Sequence, residues 1–152
     1  MIDKTKLTEF VLRARTKTYA GNAGKVEPLL AGSKQLEYSE DDLMYRDIYN
    51  QGNGKFVGIE TVYLKDAPLW SMSYYGNFEK MTESEADSTL RKALIEKWDK
   101  VRLWNNVTYK MEDFVYTNKG KGSIEEFEGS EEIKKGKTTK YFFYYAGALL
   151  NG

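Results

Sequence analysis

Phe56-Val57-Gly58-Ile59-Glu60-Thr61-Val62 and Phe127-Glu128-Gly129-Ser130-Glu131-Glu132-Ile133 carry one pattern, Phe-x-Gly-x-Glu-x-Val/Ile, about 71 positions apart. Sliding the chain against itself by that offset aligns the flanking residues without a gap. Asp42 falls on Asp113 and Tyr45 on Tyr116, while Trp70-x-Met72-x-Tyr74-x-Gly76 falls on Tyr141-x-Phe143-x-Tyr145-x-Gly147. Matches at every second residue are the signature of strands that bury one face. A fixed internal period points to a repeated supersecondary unit.

Working outward, alternation and turn residues place strands at 36–38, 43–49, 56–64 and 69–75, then at 107–109, 114–117, 124–133 and 141–146. Gln51-Gly52-Asn53-Gly54, Lys65-Asp66-Ala67-Pro68 and Lys135-Gly136-Lys137 suit antiparallel hairpins. Before the first block, Leu7, Phe10, Val11 and Ala14 recur at i, i+3, i+4 and i+7, with Asp3 or Thr5 to cap a helix and Gly21 to stop it. Before the second, Thr82-x-x-Glu85 forms a capping box, and Leu90, Leu94, Trp98 and Val101 form the apolar stripe of a second helix. The expected fold is α+β, a helix-plus-antiparallel-strands unit occurring twice (about 3–78 and 82–150) within one domain spanning 1–152, with a mostly antiparallel sheet.

Composition narrows the chemistry. The 152 residues contain no Cys and no His, which removes disulfides, thiolate nucleophiles, histidine bases and most transition-metal sites. Lys plus Arg and Asp plus Glu both number 23, so no net field gathers nucleic acid. No apolar stretch resembles a signal peptide or membrane span, and a reducing cytoplasm is the expected setting. No metal, cofactor or catalytic residue is expected.

Glu60 and Glu131 share a strand face with apolar residues, where a carboxylate tends to be raised in pKa and can serve acid/base chemistry. No nucleophile accompanies them, and a structural carboxylate held by Tyr, Arg or backbone donors is the favoured reading. Gly21-Asn22-Ala23-Gly24-Lys25 is too short for a phosphate loop and lacks its Ser or Thr, yet it suits a ligand-contacting loop. The opposite face of the first unit carries Val57, Ile59, Thr61 and Tyr63, where the second has Glu128, Ser130, Glu132 and Lys134. That apolar face requires a cover: helix, loop, ligand or second subunit. Tyr residues combine a stacking surface with a hydroxyl, and Tyr19, Tyr38, Tyr45, Tyr49 and Tyr75 are the expected lining of a pocket.

Arg13-Ala14-x4-Tyr19-Ala20-Gly21, Leu36-x-Tyr38, Tyr45-x-Asp47-x-Tyr49, Phe56-x-Gly58-x-Glu60-x-Val62-Tyr63 and Pro68-x-Trp70-x-Met72-x-Tyr74-Tyr75-Gly76 resemble a bacterial family known as domain of unknown function 5680. The likeness covers most of the chain and is most specific over residues 10–76. Members that stand alone or follow a helix-turn-helix imply a sensor or ligand-binding module, and no catalytic residues carry over. This chain has no such helix-turn-helix segment, so regulation of transcription does not carry over either.

The expectation is therefore a non-enzymatic domain that holds a small, planar or nucleotide-like molecule, as a sensor or sequestering protein. Its expected ligand-binding residues are Arg13, Tyr19, Gly21, Gly24, Lys25, Tyr38, Tyr45, Tyr49, Glu60, Trp70 and Tyr75. The alternative is a protein-interaction or structural module whose apolar strand face pairs with a partner or with a second copy of the chain, and a carboxylate-dependent enzyme using Glu60 and Glu131 is the least favoured.

Overall fold

The computed structural model describes residues 2–151. Helix α1 (Lys4–Lys17) starts at Asp3, whose side chain accepts from the Thr5 N–H, and closes at Thr18. It ends before Gly21, whose own role is in the turn beyond: a Cβ there would lie 2.0 Å from the Thr16 carbonyl oxygen. Leu7, Phe10, Val11 and Ala14 are fully buried. Burial stabilises by about 1.5–3 kcal/mol for each of the three larger side chains, which outweighs the modest propensity of a helix with three threonines.

Nine strands follow in one antiparallel sheet: β1 (Lys25–Val26), β2 (Lys34–Glu40), β3 (Leu43–Gly52), β4 (Lys55–Leu64), β5 (Ala67–Asn77), β6 (Val107–Met111), β7 (Phe114–Ser123), β8 (Glu126–Lys135) and β9 (Thr138–Leu149). Their spatial order is β1-β2-β3-β4-β5-β9-β8-β7-β6. The mostly antiparallel α+β architecture agrees with the sequence. Ile124 lies in the turn between β7 and β8, not within a strand as its apolar character suggests, although it remains buried.

The two meanders share one register. Tyr38 pairs with Tyr45 and Tyr109 with Tyr116. Leu43 pairs with Leu64 and Phe114 with Lys135; Phe56 pairs with Gly76 and Phe127 with Gly147. The ladder slips once in each half, between Val62 and Tyr63 and between Ile133 and Lys134. At the seam, Tyr74 of β5 pairs with Tyr145 of β9, its own counterpart in the sequence offset. Both halves use left-handed turn residues at matching places, Asp41 and Glu112, where the tight connection demands positive φ.

Between the halves the expected second helix is interrupted. α2 (Glu83–Ala86) opens with the Thr82/Glu85 capping box, passes through a π-helical stretch (Asp87–Arg91), and continues as α3 (Lys92–Glu96). The helix stops five residues short of Val101, so Trp98 lies in a turn and is 45% exposed instead of joining the core with Leu90 and Leu94. Helical and strand side chains form one core, from Phe10 and Leu94 to Trp70, Met72, Phe127 and Phe143. No helix among the described residues is long and apolar enough to cross a membrane.

Candidate functional site

Two buried ion pairs anchor the helical layer to the sheet. The Arg15 guanidinium donates to Glu60 Oε2 through Nε and Nη2 at 3.0 and 2.8 Å, and its Nη1 donates to the Arg102 carbonyl at 3.0 Å. Arg102 Nε donates to Glu131 Oε1 at 2.9 Å, and Glu131 also accepts from the Tyr141 and Tyr116 hydroxyls. Burial is the largest single influence on Arg102 and opposes its charge, but Glu131, Tyr141, Tyr116 and Glu60 together outweigh it and hold the guanidinium well above its usual pKa. Arg102 adopts φ 56, a left-handed conformation that costs a bulky residue energy. Its N–H, carbonyl and side chain are each held by a partner, Asn118, Arg15 and Glu131, which over-determines that conformation. Glu60 and Glu131 are thus each held by an arginine partner in the interior.

Beside this layer the first meander and the helical segment 83–91 line a half-open cavity of about 570 Å3. That lies within the range of small-molecule sites, roughly 300–1,000 Å3. Its floor is Asp47 and Tyr74, its walls include Tyr19, Tyr49, Phe56 and Phe78, and Lys25 and Arg91 stand among its lining. Tyr74 reaches Asp47 because Gly58, its direct partner on β4, has no side chain: a Cβ there would lie 2.5 Å from the Tyr74 hydroxyl. The hydroxyl donates to Asp47 Oδ1. Burial lifts the Asp47 carboxyl to about 7, with the Glu60 charge adding to the rise and the Tyr74 hydrogen bond working against it. Tyr19 is flanked by two guanidinium groups, with Arg91 at 4.9 Å and Arg102 at 5.8 Å from its ring centre.

The same place in the second meander is filled by the chain itself. Asn118 stands where Asp47 does, and Gly120 where Tyr49 does. The backbone of Leu103 and Trp104 lies against Gly120, where a Cβ would come within 2.2 Å of the Leu103 carbonyl oxygen. Asn118 Oδ1 accepts from the Arg102 N–H at 3.0 Å, and its Nδ2 donates to the Asn105 carbonyl at 2.9 Å. The Tyr145 hydroxyl donates to the Leu103 carbonyl at 2.6 Å. The second floor is therefore sealed by a peptide segment, and the first is open.

The expected site residues divide into three groups. Tyr19, Lys25 and Tyr49 line the large cavity. Tyr45 and Glu60 line a neighbouring crevice of about 20 Å3, room for a single water. The others lie away from both: Arg13 and Tyr38 bind Glu40 at the surface, and Trp70 stacks on Phe127 in the core. Gly24, at φ 78, closes the loop against β2, with its carbonyl accepting from the Glu37 N–H. Neither Gly21 nor Gly24 contributes to the cavity wall, where Asn22 and Lys25 represent the loop.

Tyr75 packs edge-on against Phe142, across the sheet from Tyr74. It belongs to the face that carries Val57 and Ile59, so that apolar face and the cavity are on opposite sides of the sheet. No helix or loop among the described residues covers it, and Val57, Ile59 and Tyr144 are 55%, 45% and 56% exposed.

Asp47, Phe56, Tyr74, Phe78, Arg91 and Arg102 were not expected as site residues. Two mismatches within the offset marked the place: Asp47 against Asn118 and Tyr49 against Gly120, at positions that face the core. Among the described residues no cluster of acidic side chains suits a metal ion.

Residues 47–150 match the family model described as Domain of unknown function (DUF5680), and the chain belongs to that family. The matched stretch starts at the cavity floor and takes in the whole second meander, and of the residues 10–76 on which the likeness was most specific it includes 47–76 and not 10–46. No curated protein and no solved structure matches the chain.

Proposed function

We propose that this member of the domain of unknown function 5680 family is a small-molecule binding protein with one site per chain, acting by sensing or sequestering its ligand. The observation that carries the reading is the open cavity of about 570 Å3 in one meander where its counterpart is filled by the backbone of residues 102–105. A solvent-open hollow of this size lined by five aromatic rings suits a small-molecule site. Among the described residues the floor carboxyl has one side-chain hydrogen-bond partner, the Tyr74 hydroxyl, and it lacks the base-and-orienter arrangement that activates a nucleophile, which favours binding over catalysis.

Ala86 lines the cavity from α2 without making a polar contact there, so Ala86→Trp blocks the space and leaves the floor intact. In a thermal-shift screen of metabolites, compounds that raise the melting temperature of the wild type are expected to leave Ala86→Trp unmoved. Equal shifts in both proteins place binding elsewhere and remove the assignment.

The two meanders are further inferred to descend from one duplicated unit. Their shared registers, their ladder slips at matching residues and the Tyr74/Tyr145 pairing at the seam support that descent. On this reading one copy lost its site when the segment before β6 settled into it.

The uncovered face favours a second role, association between copies of the chain through Val57, Ile59 and Tyr144. Light scattering decides it: an oligomer that Val57→Lys with Ile59→Lys returns to monomer supports this role, and a monomeric wild type rejects it.

A further inference from the structure

Resting on the binding reading above, we infer that the ligand is a planar aromatic molecule carrying a carboxylate or phosphate group, whose oxygens accept from Arg91 Nε and Arg102 Nη2 beside Tyr19. Both arginines line the cavity, and both of these nitrogens are buried without a hydrogen-bond partner. Native interiors satisfy nearly every buried donor, and a charged one left unmet is among the costliest to keep. Arg91 Nη1 donates to Asp87 Oδ1 at 2.6 Å and Arg102 Nε to Glu131 Oε1 at 2.9 Å, so each guanidinium is already held in place by another of its nitrogens.

Arg15 shows what a saturated guanidinium looks like in the same core. It bears the relation to Glu60 that Arg102 bears to Glu131, and the two glutamates are counterparts in the sequence offset. All three Arg15 nitrogens donate within the protein, to Glu60, the Arg102 carbonyl and the Met72 sulfur. Among the described residues the Arg102 side chain donates only through Nε. Arg15 does not line the large cavity, and Arg102 does. An oxyanion supplies the missing acceptors, and guanidinium donors bind it more strongly than a neutral group. Tyr19, with Arg91 at 4.9 Å and Arg102 at 5.8 Å from its ring centre, joins the two donors to one aromatic wall. Tyr49, Phe56, Tyr74 and Phe78 continue that wall, which suits a flat body attached to the anion. Lys25 and Lys34 add positive charge to the lining, against Glu83 and the floor acid Asp47. The Asp47 carboxyl, raised to about 7, carries its proton at pH 6 and then does not repel an anion.

Isothermal titration at pH 6 with indole-3-carboxylate, quinoline-2-carboxylate, adenosine monophosphate and uridine monophosphate tests this, each beside its neutral form, the primary amide or the nucleoside. At least one anion is expected to bind with one site per chain, tenfold or more tighter than its neutral form. Whether the carboxylates or the phosphates do so identifies the oxyanion. Affinity is expected to fall tenfold or more in Arg91→Gln as well. That variant gives up only a partly exposed ion pair with Asp87, so it is expected to fold, and the neutral forms test the same contact without a mutation. Binding that is equal in the neutral form, or unchanged in Arg91→Gln, overturns the inference, as does a failure of all four anions to bind. If the anions fail while a neutral compound shifts the melting temperature of the wild type and not of Ala86→Trp, the inference falls and the binding role stands. A chain that binds neither anions nor neutral compounds loses both.

Discussion

Asp47 and Asn118 occupy the same rung of the two meanders, yet Asp47 looks into an open cavity and Asn118 is sealed beneath the backbone of residues 102–105. The difference of one atom, a carboxylate oxygen in place of an amide nitrogen, sets the chemistry of the floor.

That atom also makes stability depend on pH. The folded Asp47 carboxyl is raised from the ordinary 3.8 to about 7. A carboxyl raised on folding binds its proton more tightly in the folded chain, so its contribution is full below about pH 4 and is lost as pH rises through about 7. Asp47→Asn removes this loss. Denaturant unfolding is expected to show the variant gaining on the order of 2–4 kcal/mol over the wild type at pH 8 and little at pH 4. A gain independent of pH would place the raised carboxyl elsewhere.

The Arg15–Glu60 pair predicts a non-additive result. Arg15→Met strands a carboxylate that is 2% exposed, and loss of one partner of a buried pair costs about 3–5 kcal/mol. Adding Glu60→Gln removes the stranded charge and is expected to restore at least half of that loss. A double-mutant cycle with no coupling would mean that the two side chains act independently.

Gly58 predicts a steric effect. Gly58→Ala pushes on the Tyr74 hydroxyl at 2.5 Å and on the Ile48 carbonyl at 2.6 Å. A loss of about 1–3 kcal/mol is expected, in the range of an overpacked interior. Gly52→Ala, with nothing within 4 Å, is the control and is expected to stay within about 0.5 kcal/mol of the wild type. Equal effects of the two substitutions would show that lost backbone freedom, and not the Tyr74 approach, sets the cost.

Much of the fold was legible because it is written in local patterns. Period-two alternation located β2 to β9 but not β1 (Lys25–Val26), which lies in the stretch read as a ligand-contacting loop; Asn53-Gly54 and Gly136 marked hairpins, and the Phe-x-Gly-x-Glu pattern gave the offset between the halves. The helix between the halves was less legible, since the π-helical stretch Asp87–Arg91 breaks the 3.6-residue period and releases Trp98. The site was legible only in part. Tyr19, Lys25 and Tyr49 could be ranked from residue type, but Phe78 and Arg91 join the wall through the way the helical layer falls across the sheet, which no spacing encodes. Asp47 and Tyr74 were visible inside the repeated pattern. What singles them out is a departure from the repeat, where Tyr49 gives way to Gly120 so that a backbone can lie on the strand.

Native mass spectrometry of the protein as purified from its expression host, beside Ala86→Trp, tests the central claim most directly. The account predicts one small molecule per chain in the wild type and none in the blocked variant. A wild type that flies at its bare mass, or that carries two ligands per chain, would contradict it.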